Sequence, residues 1–291
     1  MSPDFVPASR FDDAALAALF CAAYEGYFMP VHLDAASFRG MMDLQDADFD
    51  ASRVALAGGA PVALAMLARR GADGWIGGMG VVPAARGRGL AARVMEAVLS
   101  EAARRGVARV WLEVLVQNER AIRVYERLGF RAMRRLEVLE RPAASAPAAR
   151  AAVGPPAARL DPAECLAHHA ALHAAERLPW QRGLPVQRRL AASLEAYGVR
   201  DAHGPVAAVL VRPLAARAAI LDVGLAARAP EGALASALHA ALAAHAAEAA
   251  SLLNLEPGHP ACVPLRALGF EARHAQHEMC LTIGAARDDT P

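Results

Sequence analysis

Several absences limit what this 291-residue chain can do. The formal net charge is only +1, so there is no global basic field for nucleic acid and no acidic tail. Its four cysteines, Cys21, Cys165, Cys262 and Cys280, lie far apart and form no Cys-x-x-Cys pair. That spacing suits reduced thiols in a cytoplasmic protein better than a disulfide framework. The first residues, MSPDFVPASRFDDAA, lack a basic segment followed by an apolar core, so no secretory signal is expected. The least polar runs, such as ALASALHAALAAHAA, contain histidine and are too short to span a bilayer. The expectation is a cytoplasmic protein without a membrane or nucleic-acid partner. What is present is a composition 55% hydrophobic and 21% charged, enough for a sizeable core in one large domain or two ordinary ones.

Apolar residues at Leu16, Leu19, Phe20 and Tyr24 follow Asp12 and Asp13, a helical spacing with a capping residue at its start. HLDAASFRGMMD predicts a second short helix. SRVALAGGAPVALAMLARRGADGWIGGMGVV predicts three strands joined by glycine-rich turns, an antiparallel meander. A helix over about Leu90 to Arg105 carries the apolar stripe Leu90, Val94, Met95, Val98 and Leu99. GVARVWLEVLV predicts a buried strand, NERAIRVYERLGF a short helix closed by Gly129, and RAMRRLEVLER a further strand. The fold class is therefore α/β (α+β), a mixed and largely antiparallel sheet flanked by helices.

Residues 141–159 are Pro/Ala-rich and aperiodic, as expected of a linker. Beyond them the order recurs: helical DPAECLAHHAALHAAE, strands PVAAVLVRPL and AAILDVGL, helix EGALASALHAALAAHAAEA and strand SLLNL. AIRVYERLGFRA and ACVPLRALGFEA match in detail, so two tandem copies of one fold are expected, over 1–140 and 160–291.

GVVPAARGRGLAARV, Gly80 to Val94, sets Gly87 and Gly89 between a strand and a helix, with Arg86 and Arg88 at the rim. Glycine exposes backbone N–H groups, and the helix aims its unpaired first-turn amides and positive dipole end at the same point. Such a nest suits a phosphate or pyrophosphate; the plain alternative is a strand-to-helix turn with solvated arginines. No Gly-Lys-Ser/Thr occurs here, and position 92 is Ala rather than the third glycine of a dinucleotide site.

Val82-Pro83-x-x-Arg86-Gly87-Arg88-Gly89-Leu90-Ala91, together with LEVLVQNERAIRVYERLGF, resembles the GCN5-related N-acetyltransferase (GNAT) superfamily over roughly residues 10–140. The resemblance implies acetyl-CoA as donor and CoA as product. It implies that Arg86, Gly87, Arg88, Gly89, Leu90 and Ala91 wrap the pyrophosphate, while Gly80, Val81 and Val82 pair with the pantetheine arm. Tyr125 resembles the family tyrosine that acts as general acid near the sulfur; the alternative is a packed ring. Asn118 matches a position that contacts the cofactor, and could equally cap the next helix. Glu113 stands at the same spacing from Tyr125 as the base proposed for ribosomal-protein alanine N-acetyltransferases. It could instead face outward or form a structural ion pair. In this fold the segment after the first helix borders the acceptor, which makes Tyr24, Glu25, Tyr27, Phe28 and His32 expected substrate contacts, unless the aromatics are core.

In the second copy Leu265 stands opposite Tyr125 and Leu253 opposite Glu113, while Pro230 and Glu231 replace the open, positive loop. A frame without cofactor chemistry is expected there. His169 and His173 are spaced i,i+4, but without an HExxH glutamate or an evident third ligand no metal is expected. The leading expectation is acetyl transfer from acetyl-CoA to a primary amine of a small molecule, by direct attack in a ternary complex. The rivals are a protein α-amino terminus as acceptor, or a non-catalytic acyl-CoA-binding regulator. A monomer or a homodimer would serve either.

Overall fold

The computed structural model describes residues 3–143, 154–173, 176–215, 217–245 and 249–284. Residues 144–153, most of the segment expected to be a linker, lie outside them. The first elements are β1 (Asp4–Pro7), α1 (Asp13–Ala23), α2 (Ala35–Leu44), β2 (Arg53–Ala57), β3 (Ala60–Arg70) and β4 (Asp73–Val81). Then come α3 (Leu90–Arg104), β5 (Arg109–Leu115), α4 (Glu119–Arg127) and β6 (Arg131–Arg141). The later elements are β7 (Ala158–Leu160), α5 (Pro162–Ala167), α6 (His169–Leu172), α7 (Leu184–Leu190) and β8 (Glu195–Asp201). They continue with β9 (Gly204–Leu214), β10 (Arg217–Leu225), α8 (Ala233–Ala244), β11 (Ala249–Leu255), α9 (Cys262–Ala267) and β12 (Glu271–Thr282).

Two compact units form: Met1–Arg134 with His277–Pro291, and Arg135–Gln276. These limits differ from those of the sequence repeat. Each half of the repeat ends in its own last strand, β6 or β12. By packing, the later part of β6 counts with the second unit and the later part of β12 with the first. The first unit shows why: Met279 shares its core with Tyr125 and Phe130, and the Ile283 N–H donates to the Ala108 carbonyl at 2.8 Å.

In the first unit the strand order is β1-β2-β3-β4-β5-β12. β1 to β4 pair antiparallel, and β4 with β5 parallel. Both faces are covered, and β3 shows the consequence. Its Leu64 and Met66 point into the cluster with Leu16, Phe20 and Phe38 of α1 and α2, while Ala63, Ala65 and Leu67 point into the cluster with Val94, Met95 and Val98 of α3. Alternation along the strand thus feeds two cores. Asp12 caps α1 by accepting from the Ala15 N–H at 2.7 Å, and Asp34 does the same for α2 at Ser37.

The second unit repeats the plan with the order β6-β11-β10-β9-β8-β7. α8 and α9 pack on one face with Val209, Val211 and Leu252; Cys165 of α5 and Leu172 of α6 pack on the other with Ala208 and Leu210. The single helix expected over DPAECLAHHAALHAAE is two, because His168 closes α5, its Nδ1 bonded to the Glu164 carbonyl at 2.9 Å. α7, which sequence periodicity does not reveal, starts with Pro185 in its first turn, where a missing N–H is harmless. Among the described residues no helix is long and apolar enough to cross a membrane.

α1 sits close on β4. A Cβ added at Gly80 would come within 2.8 Å of the Ala23 Cβ, whereas one added at Gly40 on α2 would meet nothing within 4 Å. Gly80→Ala is therefore expected to lower stability by about 1–3 kcal/mol. Gly40→Ala is expected to raise it by about 0.5–1 kcal/mol, as for any glycine in an exposed helix. Chemical denaturation of the two variants checks the opposite signs.

Candidate active site

β4 and β5 pair only at Asp73–Arg109, Gly74–Val110 and Trp75–Trp111, although β4 runs on to Val81 and β5 to Leu115. A bulge next to this point contributes to the parting. On β3, Met66 faces Gly78 and Leu67 faces Ile76, so Gly77 is the extra residue. A bulge bends and twists its strand, and here it carries β4 away from β5. The edge of β4 past Trp75 is thereby released from its parallel neighbour.

That edge leads through a single 3-10 turn, Pro83–Ala85, into the loop before α3. Gly87 (φ 78°) and Gly89 (φ 73°) are both left-handed, a conformation that an L side chain resists. Gly89 stands at the N-cap of α3 with no side-chain hydrogen bond to the helix start. A Cβ at either glycine would meet nothing within 4 Å, so the loop is a bare backbone cradle at the positive end of a 15-residue helix. Leu90 is buried beneath it, and Arg88 is exposed at its rim.

Arg86 faces the other way. Its Nε donates to the Val81 carbonyl at 2.9 Å, and its Nη2 to the carbonyls of Ala23 (3.1 Å) and Glu25 (2.7 Å). The guanidinium clasps the end of β4 to the end of α1, and only the backbone of Arg86 is left to line the cradle.

Tyr125 on α4 is buried beside Phe130, with ring centroids 5.8 Å apart. Burial pushes its phenol well above the ordinary tyrosine range, and the nearby Tyr24 and Tyr27 hydroxyls push the same way. Tyr24 is raised too, by burial and then by Tyr27, against a hydrogen bond that its oxygen accepts from the Met79 backbone N–H on β4. Tyr27 is raised by burial, although its hydroxyl shares a hydrogen bond with Asn118. Asn118 also caps α4, accepting from the Ala121 N–H at 3.3 Å. Tyr24, Tyr27, Tyr125 and Asn118 thus converge on one polar spot.

Of the other residues singled out after α1, Phe28 is 51% exposed and meets Tyr27 edge-on. The Glu25 side chain is exposed and its carbonyl holds Arg86. His32 is exposed and joins no contact with this cluster among the described residues. Glu113 is half-buried on β5, where its Oε2 accepts from the Trp75 indole at 2.7 Å. Sequence reasoning missed Trp75; its place just before Gly77-Gly78 on a strand was the available signal.

The second unit repeats the geometry with its opening filled. β10 and β11 pair in parallel only from Arg217–Ala249 to Ile220–Leu252, and a bulge next to β9 follows at once. Two residues beyond, Arg182 bridges the gap. Its Nη2 donates to Asp222 on β10 (3.2 Å) and its Nη1 to the Asn254 carbonyl on β11 (3.2 Å). The helix start at Gly232 is also covered: a Cβ at Gly154 would lie 2.7 Å from the Gly232 carbonyl oxygen. Arg228 is paired with Asp201 at 2.8 Å, Leu265 is fully buried and Leu253 is exposed.

His169, His173 and Asp222 bring ligand-type atoms within 4.8 Å of one another. Asp222 was the third partner invisible in sequence. Its oxygens are taken by Arg182 and by His173 Nε2 at 2.8 Å, which makes the group an ion-pair network. Burial would lower His173, but its hydrogen bonds to Asp222 and Glu176 raise it to about 9. Burial would raise Asp222 and Glu176, yet the His173 hydrogen bond and the surrounding cations hold both below the usual carboxylate range.

The raised His173 contributes stability that is complete below the ordinary histidine value and is lost as pH climbs through about 9. The lowered carboxylates contribute stability present above their ordinary values and lost as pH falls through their depressed ones. Thermal stability should therefore fall at both extremes, and His173→Gln should flatten the alkaline limb.

Residues 15–130 match the Acetyltransferase (GNAT) family. No curated protein matches the chain in sequence. Among solved structures, the chain is similar to a GCN5-related N-acetyltransferase from Sphaerobacter thermophilus, with TM-score 0.73, 18% identity, and 96% of this chain and 95% of that one covered. It is similar to a tandem GNAT protein from the clavulanic acid biosynthesis pathway, with TM-score 0.67, 16% identity, and 98% and 99% covered. A GCN5-related N-acetyltransferase from Kribbella flavida gives TM-score 0.59, 19% identity, and 96% and 72% covered. These structural likenesses show the shared mixed-sheet fold. The match to the Acetyltransferase (GNAT) family over residues 15–130 falls within the first unit.

Proposed function

We propose that the first unit transfers an acetyl group from acetyl-CoA to a primary amine within a ternary complex, and that the second unit keeps the frame without this chemistry. The observation that carries the proposal is the released edge of β4 running straight into an uncapped, glycine-built helix start. An extended arm can add to such an edge as a further strand would, and a diphosphate can lie in the cradle. Gly80, Val81 and Val82 supply the edge. The backbone of Arg86 to Ala91 supplies the cradle, with Arg88 adding charge. Asn118, held between the α4 cap and Tyr27, would meet the donor beyond it.

The donor supplies a thioester carbonyl, and the chain's residues handle protons around it. An aliphatic amine is an ammonium ion at neutral pH and must shed a proton before it attacks. The ammonium proton leaves to solvent before attack; as the N–C bond forms and the C–S bond breaks, Glu113 takes a second proton from the acceptor nitrogen and then releases it to solvent. Tyr125, kept in its protonated form by burial, donates to the departing sulfur and is reprotonated from solvent. Its high affinity for that proton ties donation to C–S cleavage rather than ahead of it.

Tyr24, Tyr27 and Phe28 form an aromatic wall beside Tyr125 that suits a small-molecule amine with an apolar body. A peptide α-amine is the second reading, favoured by the Glu113–Tyr125 spacing. CoA-thiol release over a panel of amines and N-terminal peptides tests both. Glu113→Gln is expected to lower kcat by about 10²–10⁴-fold and Tyr125→Phe by about 10²-fold, with CoA affinity kept. Wild-type turnover in both would remove these roles.

The two loops separate by calorimetry. Arg88→Glu should weaken CoA binding about tenfold, ~1.4 kcal/mol, while Arg228→Glu should leave it unchanged. Equal losses would assign a donor site to the second unit as well.

A further inference from the structure

Trp75 and Trp111 face each other at the last paired position of β4 and β5. Each indole reaches an acid on the opposite strand. Trp111 Nε1 donates backward to Asp73 Oδ1 at 3.1 Å, inside the paired region, where Asp73 also holds Arg109 at 2.8 Å. Trp75 Nε1 donates forward to Glu113 Oε2 at 2.7 Å, two residues past the point where the strands part. The first bond lies where the sheet is closed; the second spans its opening.

Trp75 is 7% exposed, and its ring lies over Gly77, where an added Cβ would collide with it. The bare Gly77 lets the indole lie flat along β4 and direct its N–H across to β5. A glutamate side chain has three rotatable bonds, so a bond this short to a ring packed on the sheet fixes both the position and the rotation of its carboxylate.

We infer that Trp75 is a positioning residue for the proton acceptor of the reaction, holding the Glu113 carboxylate at the mouth of the parted strands. This rests on the proposed role of Glu113 as base. Donation from an indole favours the charged carboxylate over the neutral acid and so opposes the effect of partial burial. The indole itself neither gains nor loses a proton during turnover.

Three variants and their kcat–pH profiles at saturating primary amine test this, because kcat reports groups of the ternary complex and not the ionisation of the free amine. Trp75→Phe keeps the ring over Gly77 and removes the N–H. It should shift the acidic limb upward by about one pH unit, cutting the rate about tenfold below the limb and recovering most of it on the plateau. CoA affinity should stay as in the wild type. Trp111→Phe removes the same kind of bond from the same sheet and should leave the limb in place, which separates positioning from loss of fold. Glu113→Gln should abolish the limb.

If Trp75→Phe does not fold, benzothienylalanine at position 75 replaces the N–H by sulfur at nearly constant shape and should shift the limb equally. An unmoved limb in either position-75 variant, with the limb absent in Glu113→Gln, overturns the positioning role and leaves Glu113 as base. A limb that persists in Glu113→Gln overturns the assignment of the base itself.

Discussion

The site in the first unit depends on one event in the sheet: β4 and β5 cease to be hydrogen-bonded after Trp75 and Trp111. A parallel pair that continued would consume the backbone groups of Gly80 to Val82 and leave no cleft. The extra residue at Gly77 helps break the pairing. The same bend brings the end of β4 to α3, so strand edge and helix start form one surface. Everything else is arranged around that opening. α1 presses on one side of β4 at Gly80, α4 presents Tyr125, and β5 presents Glu113.

Much of this was legible in the sequence. The meander, the long α3, the Gly87/Gly89 cradle and the repeated Leu-Gly-Phe ending all follow from local rules: period, turn chemistry and glycine placement. What was not legible depends on distant segments meeting. Arg86 carries charge in the sequence, and nothing local says that its guanidinium is spent on the carbonyls of Ala23 and Glu25. The Trp75–Glu113 bond depends on the register of two strands separated by a whole helix. The limits of the two units could not be read either, because the last strand of each half has the same pattern wherever it packs.

The second unit shows how the same frame is closed. Its parallel strands part just as early, after Ile220 and Leu252, yet a buried guanidinium ties both strands together where the opening would begin. An arginine so deeply buried would be costly alone. Asp222 and Glu176 supply the counter-charges, and Asp222 and the Asn254 carbonyl the hydrogen bonds, that offset that cost. Where the first unit has Gly78 against Phe20, the second has this charged network. It is largely internal, an alternative solution to the same gap in the sheet.

The Arg86 clasp couples separate parts of the wall. One guanidinium holds the end of β4, the C-terminus of α1 and the segment leading to Tyr27. Its own backbone opens the glycine loop. An anion that orders this loop therefore also stiffens the wall carrying Tyr24 and Tyr27, and whatever settles against that wall next loses less entropy in doing so. Thermodynamic linkage makes the help mutual. Either ligand, once bound, would ease the binding of the other, without any moving lid.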